Sequence, residues 1–172
     1  MDRRDMVSAT SSDGNSQILG TTRAHFLAFV ASLEEVRDDG VGPMSGPVAL
    51  TVADHALLLP VPAELGAHAD RVYENGLTAI TFEHGTTVQC MSGDPPRIMG
   101  AVTAPGRDGI YKVPALGTLL LCTLGQNRAA DRWLARVDGF LNDDESFIVH
   151  VSSPSPAHRA LVLAGVRRLV FA

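Results

Sequence analysis

Residues 147–172 read FIVHVSSPSPAHRALVLAGVRRLVFA, and this stretch predicts a strand, a capped helix and a second strand. FIVHV is typical of a strand, Ser155 suits the N-cap position, and Pro156 suits the first turn of a helix. Gly165 indicates where that helix ends before the apolar segment RRLVFA. The pattern predicts a βαβ unit that closes a sheet, and therefore an α/β or α+β fold.

Apolar residues spaced three and four apart predict three further helices. The first begins after Thr21 or Thr22 as N-cap, and the second covers AELGAHADRVYENG at 63–76, where an Asn-Gly pair indicates its end. The third runs from Asn127 and includes the sole tryptophan, Trp133. Each would cover the sheet with one apolar face.

Runs rich in Val, Leu, Ile and Thr predict the strands. They are PVALTVADHALLLPVP at 47–62 as a strand pair, and then LTAITF at 77–82, TTVQCM at 86–91, RIMGAV at 97–102 and TLLLCTL at 118–124. We expect a single domain over 21–172, with a mixed sheet of six to eight strands and βαβ units flanked by helices. Residues 1–20 have the polar composition of a flexible N-terminal tail.

An internal repeat is a further hypothesis, because residues 57–82 and 147–172 align as two βαβ units. The alignment sets Val61 against Val151 and His68 against His158. A duplication would place the two histidines at related positions in the first turns of two helices. The alternative is that two segments built from Ala, Val, Leu and Gly match by composition alone.

The charge pattern excludes a basic nucleic-acid-binding surface, since the net charge is −5, Lys112 is the only lysine and the arginines are scattered. Apolar runs fall far short of the ~20 residues that cross a bilayer. No apolar segment follows the first arginines, as a secretory signal would require. We therefore expect a cytoplasmic protein that binds neither nucleic acid nor membrane.

Catalytic motifs are missing from the sequence: it has no GxGxxG, P-loop, HExxH or GxSxG. Cys90 and Cys122 form no CxxC pair and predict buried thiols. Asp54 and His55 are usual turn residues, so no metal site is assigned. The leading hypothesis is a non-catalytic domain for small-ligand binding or assembly, while an enzymatic role and the cofactor stay open.

Two stretches resemble the flavin-binding split-barrel family. HADRVYENGLTAITF, at 68–82, is similar to its helix and central strand, and PPRIMGAV, at 95–102, is similar to its next strand. This resemblance implies a dimeric flavin-dependent oxidoreductase in which Arg71 or Arg97 meets a cofactor phosphate.

The order hairpin, helix, strand, helix, strand from Ile98 onward resembles the cytidine and tRNA-adenosine deaminase superfamily. Ala129, Ala130 and Asp131 replace its His-Ala-Glu motif, and the stretch from Pro154 to His158 lacks its two cysteines. This resemblance implies a degenerate domain without the zinc ligands.

Four residues are ligand- or cofactor-binding candidates because they are polar groups at predicted ends of helices and strands, where α/β proteins place ligands. They are Arg71, Arg97, His68 and His158. A homodimer is expected, since a strand at the C-terminus would leave a sheet edge to be covered.

Overall fold

The computed structural model describes residues 6–10, 16–38, 40–93 and 107–172, and strands dominate it. The strands are Met6–Thr10 (β1), Ser16–Thr21 (β2), Met44–Val52 (β3), His55–Pro62 (β4), His68–Val72 (β5), Thr78–Phe82 (β6), Thr87–Gly93 (β7), Arg107–Ala115 (β8), Thr118–Asn127 (β9), Arg132–Phe140 (β10), Ser146–Ser153 (β11) and Val170–Phe171 (β12). The described residues also form two α-helices, Arg23–Ala31 (α1) and Pro156–Arg167 (α2), and a 3₁₀ turn, Ala63–Leu65.

Seven strands form one antiparallel sheet in the order β5-β6-β7-β11-β10-β9-β8. It consists of two meanders, β5 to β7 and β8 to β11, which meet where β7 pairs with β11. A second antiparallel sheet has the order β12-β4-β3, and β1 pairs with β2.

The main core lies between the three-stranded sheet, α2 and one face of the seven-stranded sheet, here called the inner face. α2 packs so closely on β4 that a methyl group at Gly165 would overlap the carbonyl oxygen of Pro60. The core side chains include Leu50, Leu57 and Leu59 from the small sheet, Val162, Leu163 and Val166 from α2, and Val88, Val137 and Val149 from the inner face.

The described residues cover only part of the opposite, outer face of the seven-stranded sheet. α1 packs on it through Phe26 and Val30, which form a second apolar cluster with Leu121 and Phe140. The Phe26 and Phe140 rings meet edge to face, with centroids 5.2 Å apart. This cluster ends at Leu121 and Phe140, and farther along the same face Arg136 and His150 are exposed.

The predicted α/β or α+β fold, with βαβ units flanked by helices, is wrong. The structure is mostly β, and its large sheets are antiparallel rather than mixed. α2 connects β11 to β12, but these strands belong to different sheets, so they do not form a βαβ unit.

The helix predicted over 63–76 is replaced by the 3₁₀ turn and the edge strand β5. Gly66, at φ 79°, ends the turn, and a side chain there would overlap Glu83. Asn75 and Gly76 lie in the loop that joins β5 to β6, a use of Asn-Gly as common as the helix end. The two aligned segments therefore do not share a helix, which removes the structural basis of the proposed repeat.

The helix predicted from Asn127 is also wrong, because a turn leads there into β10. Ala135 and Val137 face the inner core, whereas Phe140 packs against α1 on the outer face. A strand with apolar residues on both faces can imitate helical spacing, and this is the physical reason for the error.

Several local predictions are confirmed. The hydroxyl of Thr22 accepts from the amide of His25 at the start of α1, and that of Ser155 accepts from the amide of His158 at the start of α2. The strand pair at 47–62 and the two buried thiols are also present. The strand predicted at 97–102 lies outside the described residues, and the division into a tail and one domain stays a prediction.

Candidate functional site

The open part of the outer face carries two parallel rows of side chains across four adjacent strands. Residues opposite each other in register share a face of the sheet, so each row is continuous. The first row is Gln89, His150, Arg136 and Thr123, and the second is Thr87, Ser152, Leu134 and Gly125.

These eight residues line a groove of about 450 Å³, here called the outer-face groove. This volume lies within the roughly 300–1,000 Å³ of small-molecule sites. Leu134 supplies an apolar wall, and Gly125 leaves the strand surface without a side chain. A glycine inside a strand often marks a bulge or the close approach of a ligand, and Gly125 lies where the register of β8 and β9 shifts.

Arg136 is fixed in the groove by Asp138, two residues along the same face of β10. Its Nε donates to Oδ2 at 2.9 Å, and its Nη2 donates to Oδ1 at 3.0 Å. This hydrogen bonding raises the pKa of the guanidinium, and burial opposes it. Two of the five N–H groups of an arginine are thereby used, so three are left for another acceptor.

Thr123 lies directly opposite Arg136 in the β9–β10 ladder. The residue is only 8% exposed, and its Oγ1 has no hydrogen-bond partner among the described residues. Buried polar groups are normally paired, and leaving one unpaired costs about 1–3 kcal/mol. A rotation about χ1 would exchange the hydroxyl with the methyl group and offer a donor to a ligand.

His150 lies on the other side of Arg136, opposite it in the β10–β11 ladder. Partial burial lowers the pKa of its imidazole, the charge of Arg136 lowers it further, and Asp138 opposes both. The ring is therefore neutral at neutral pH and offers one N–H donor and one acceptor nitrogen.

Arg132 fixes the end of the outer-face groove that lies farthest from α1. It donates from Nε to the hydroxyl of Ser152, and from Nη2 to the carbonyl oxygens of Ser152 and Gly85, each at 2.8 Å. These partners are uncharged. None of the described residues forms an ion pair with Arg132, so its positive charge is uncompensated.

A second cavity, of about 330 Å³, lies beside the first turn of α2. Ser155 and His158 line it together with Asp38 and Glu64. The rings of His158 and His84 lie 6.0 Å apart. No group of three potential metal ligands occurs within the described ranges, so this cavity has no metal-binding geometry.

The structure does not bring the predicted site residues together. Arg71 lies on edge strand β5 over the ring of Tyr73, in line with the first row but two strands beyond Gln89. His68 packs against Phe82, and His158 lines the second cavity. The position of Arg97 lies outside the described residues.

Sequence reasoning missed the four residues of the first row: Gln89, Thr123, Arg136 and His150. Gln89, Arg136 and His150 are each a polar residue between buried apolar neighbours, which is the period-two signal of a strand with one solvated face. Thr123 shows no such signal, because it is itself buried and follows three buried residues. For Arg136 the period-two pattern was missed, because the segment from Asn127 was predicted to be a helix. For the other three, strand assignment alone could not show which strands would be neighbours.

The two cysteines lie on the inner face, opposite Val149 and Val137 respectively. Burial raises the pKa of both Cys90 and Cys122 to about 12. A thiol is nucleophilic as the thiolate, so both are inert and neither faces the outer-face groove.

Both family resemblances depended on helices that are strands in the structure. Residues 68–72, read as the split-barrel helix, form β5, and the deaminase-like helix from Asn127 is β10. His55, a possible turn residue, instead contacts Glu145 at 3.2 Å. Hydrogen bonds from Asn142 and His55 lower the pKa of Glu145. The contact between His55 and Glu145 is therefore interpreted as structural.

Comparison of the chain with protein-family models, curated proteins and solved structures gives no significant match. Neither helix of the described residues is long and apolar enough to cross a membrane.

Proposed function

We propose that the protein is a non-catalytic binding protein whose small ligand occupies the outer-face groove. The observation that carries the proposal is the register itself, which sets Gln89, His150, Arg136 and Thr123 side by side on four neighbouring strands. A site on paired strands is held more rigidly than one on loops. Arg136 is further held in one orientation by Asp138.

The chemistry of these groups favours binding over catalysis. Arg136 and Asp138 neutralise each other through two hydrogen bonds, and both thiols face the opposite side of the sheet. Thr123 has no base in hydrogen-bond contact with its hydroxyl, as nucleophilic catalysis would require. These features support recognition of a ligand by hydrogen bonds and apolar contact.

The test is a fragment screen by ligand-observed NMR on the wild-type protein and on Leu134→Trp. Leu134 faces the groove, so a tryptophan there fills it from the outer face. The matched control is Thr81→Trp, an exposed residue on β6 that continues the second row beyond Thr87 and does not line the groove. We expect fragments that bind the wild type and Thr81→Trp but not Leu134→Trp. Fragments that bind all three equally would refute the proposal.

Assembly as a homodimer is a second proposal, and exposed apolar residues on an edge strand favour it. Val170 and Phe171 of β12 are about half exposed, and among the described strands β12 pairs with β4 alone. An apolar edge strand of this kind is a usual point of association between chains. A second copy that covered β12 would remove both side chains from water.

Native mass spectrometry tests this second proposal and also detects any retained ligand or cofactor. We expect a dimer that Phe171→Glu converts to a monomer. Val72→Glu is the control, because Val72 is an exposed apolar residue on β5, an edge strand of the seven-stranded sheet. A wild-type monomer, or a dimer that survives Phe171→Glu, would refute association through β12.

A further inference from the structure

We infer that the outer-face groove binds a carboxylate attached to an apolar body, and that Arg136 and Thr123 hold the carboxylate. This inference rests on the proposed function and names the chemical class of the ligand. It follows from the donors that are left over, the local charge and the shape of the groove.

The unused donors match a carboxylate in number. Arg136 keeps its two Nη1 hydrogens and one Nη2 hydrogen after its bonds to Asp138. Arginine binds carboxylates through parallel N–H groups with defined geometry. Thr123, directly opposite Arg136, adds a hydroxyl that has no partner in the described protein. These donors lie on adjacent strands, and rotation of Thr123 about χ1 brings its hydroxyl within reach of a group bound at Arg136.

The charge around the groove favours a negatively charged ligand. Arg136 is compensated by Asp138, and His150 lies beside them as a neutral ring. Arg132, at the far end, bonds uncharged partners, and so does Arg159, which donates to the carbonyl oxygens of Gly125 and Leu134. Positive charge is therefore in excess, and an amine would be repelled by it.

The second row supplies the surface for an apolar body. Leu134 stands next to the paired Gly125, whose missing side chain lets a ligand approach the backbone. A flat ring fits this combination, with its carboxylate directed toward the first row. The aromatic acid phenylacetate is therefore the probe of choice.

The experiment measures Kd values by NMR titration at neutral pH for four probes that share the benzyl group. They are phenylacetate, phenylacetamide, benzylamine and benzyl phosphate. We expect phenylacetate to bind about tenfold more tightly than phenylacetamide, because charge-assisted hydrogen bonds are roughly twice as strong as neutral ones. We expect weaker binding of the other two probes.

Two conservative variants, each checked for correct folding, test the role of the donors. Arg136→Lys still neutralises Asp138 but loses the paired donors, so we expect about a tenfold loss of phenylacetate affinity. Thr123→Val removes only the hydroxyl, and we expect a several-fold loss specific to phenylacetate. The sole tryptophan, Trp133, reports by fluorescence that each variant is folded.

The outcomes separate the inference from the proposed function. Equal binding of phenylacetamide, tighter binding of the amine or phosphate, or no effect of both variants would overturn the carboxylate assignment. So would a failure of all four probes while Leu134→Trp still blocks other fragments. If Leu134→Trp blocks no fragment at all, the proposed function fails first.

Discussion

Arg136 and Asp138 form a paired ion bridge along one face of β10, with distances of 2.9 and 3.0 Å between donors and acceptors. The two partners are unequal, because the side chain of Arg136 is 46% exposed and that of Asp138 only 4%. Loss of Arg136 therefore leaves a buried charge, whereas loss of the carboxylate leaves a cation that can turn to solvent.

This inequality predicts different effects on the free energy of unfolding. Arg136→Met leaves the Asp138 carboxylate buried without a partner, and we expect a loss of about 3–5 kcal/mol. Asp138→Asn keeps a polar side chain beside Arg136, and we expect a loss of about 1–2 kcal/mol. Urea unfolding followed by Trp133 fluorescence measures both. Equal losses would contradict the account of the pair.

Removing the unpaired hydroxyl of Thr123 should stabilise the empty protein. In Thr123→Val an apolar group of the same shape replaces a buried polar group without a partner, so we expect a gain of about 1 kcal/mol. Thr81→Val is the control, because Thr81 is exposed and its replacement should stay within about 0.5 kcal/mol. A loss of stability in Thr123→Val would show that the hydroxyl has a structural partner.

His150 should make the protein less stable in mild acid. Its pKa in the folded state lies below the usual 6.5, so the unfolded state takes up the proton first as pH falls. Stability therefore decreases as pH falls from about 6.5 through the lower, folded-state pKa. In His150→Gln this part of the pH dependence should be absent. The check is urea unfolding of both proteins over this range, and parallel curves would contradict the assignment.

Gly165 tests how α2 packs against the three-stranded sheet. In an exposed helix, Gly→Ala gains about 1 kcal/mol from helix propensity. In Gly165→Ala the methyl group would overlap the carbonyl oxygen of Pro60, so we expect a loss of about 1–3 kcal/mol. Ala160→Gly, at an exposed site on the same helix, should lose about 1 kcal/mol and calibrates the propensity. A gain in Gly165→Ala would contradict the close packing.

Local signals in the sequence predict the starts of both helices and the β3–β4 hairpin, whereas α2 continues past its predicted end at Gly165 to Arg167. Thr22 and Ser155 cap their helices through hydrogen bonds within three residues, so the relevant physics is contained in the sequence neighbourhood. The apolar run that predicts β9 is equally local. Such features depend on no contact that is distant along the chain.

The wrong assignments have a common cause, which is that tertiary packing decides between helix and strand. β10 is apolar on both faces because α1 covers its outer end at Phe140, and this burial imitates helical spacing. β5 is an exposed edge strand, and its pairing with β6 stabilises it. The polar sequence of β5 does not indicate this pairing. Neither the packing of α1 on β10 nor the pairing of β6 with β5 can be predicted from the sequence of β10 or β5 alone.

The candidate site could not be predicted for the same reason. Gln89, Thr123, Arg136 and His150 are spread over more than sixty residues and meet only because β7 pairs with β11 between two meanders. The residues predicted instead, Arg71, His68 and His158, depended on helix and strand ends that the structure does not all contain.

The most direct test of the proposed site is an amide chemical-shift map of the ¹⁵N-labelled protein titrated with phenylacetate. We expect the largest shifts at the amides of Gln89, Thr123, Gly125, Arg136 and His150, which surround the outer-face groove. Shifts confined to Asp38, Ser155 and His158 would place the ligand in the second cavity and contradict the account.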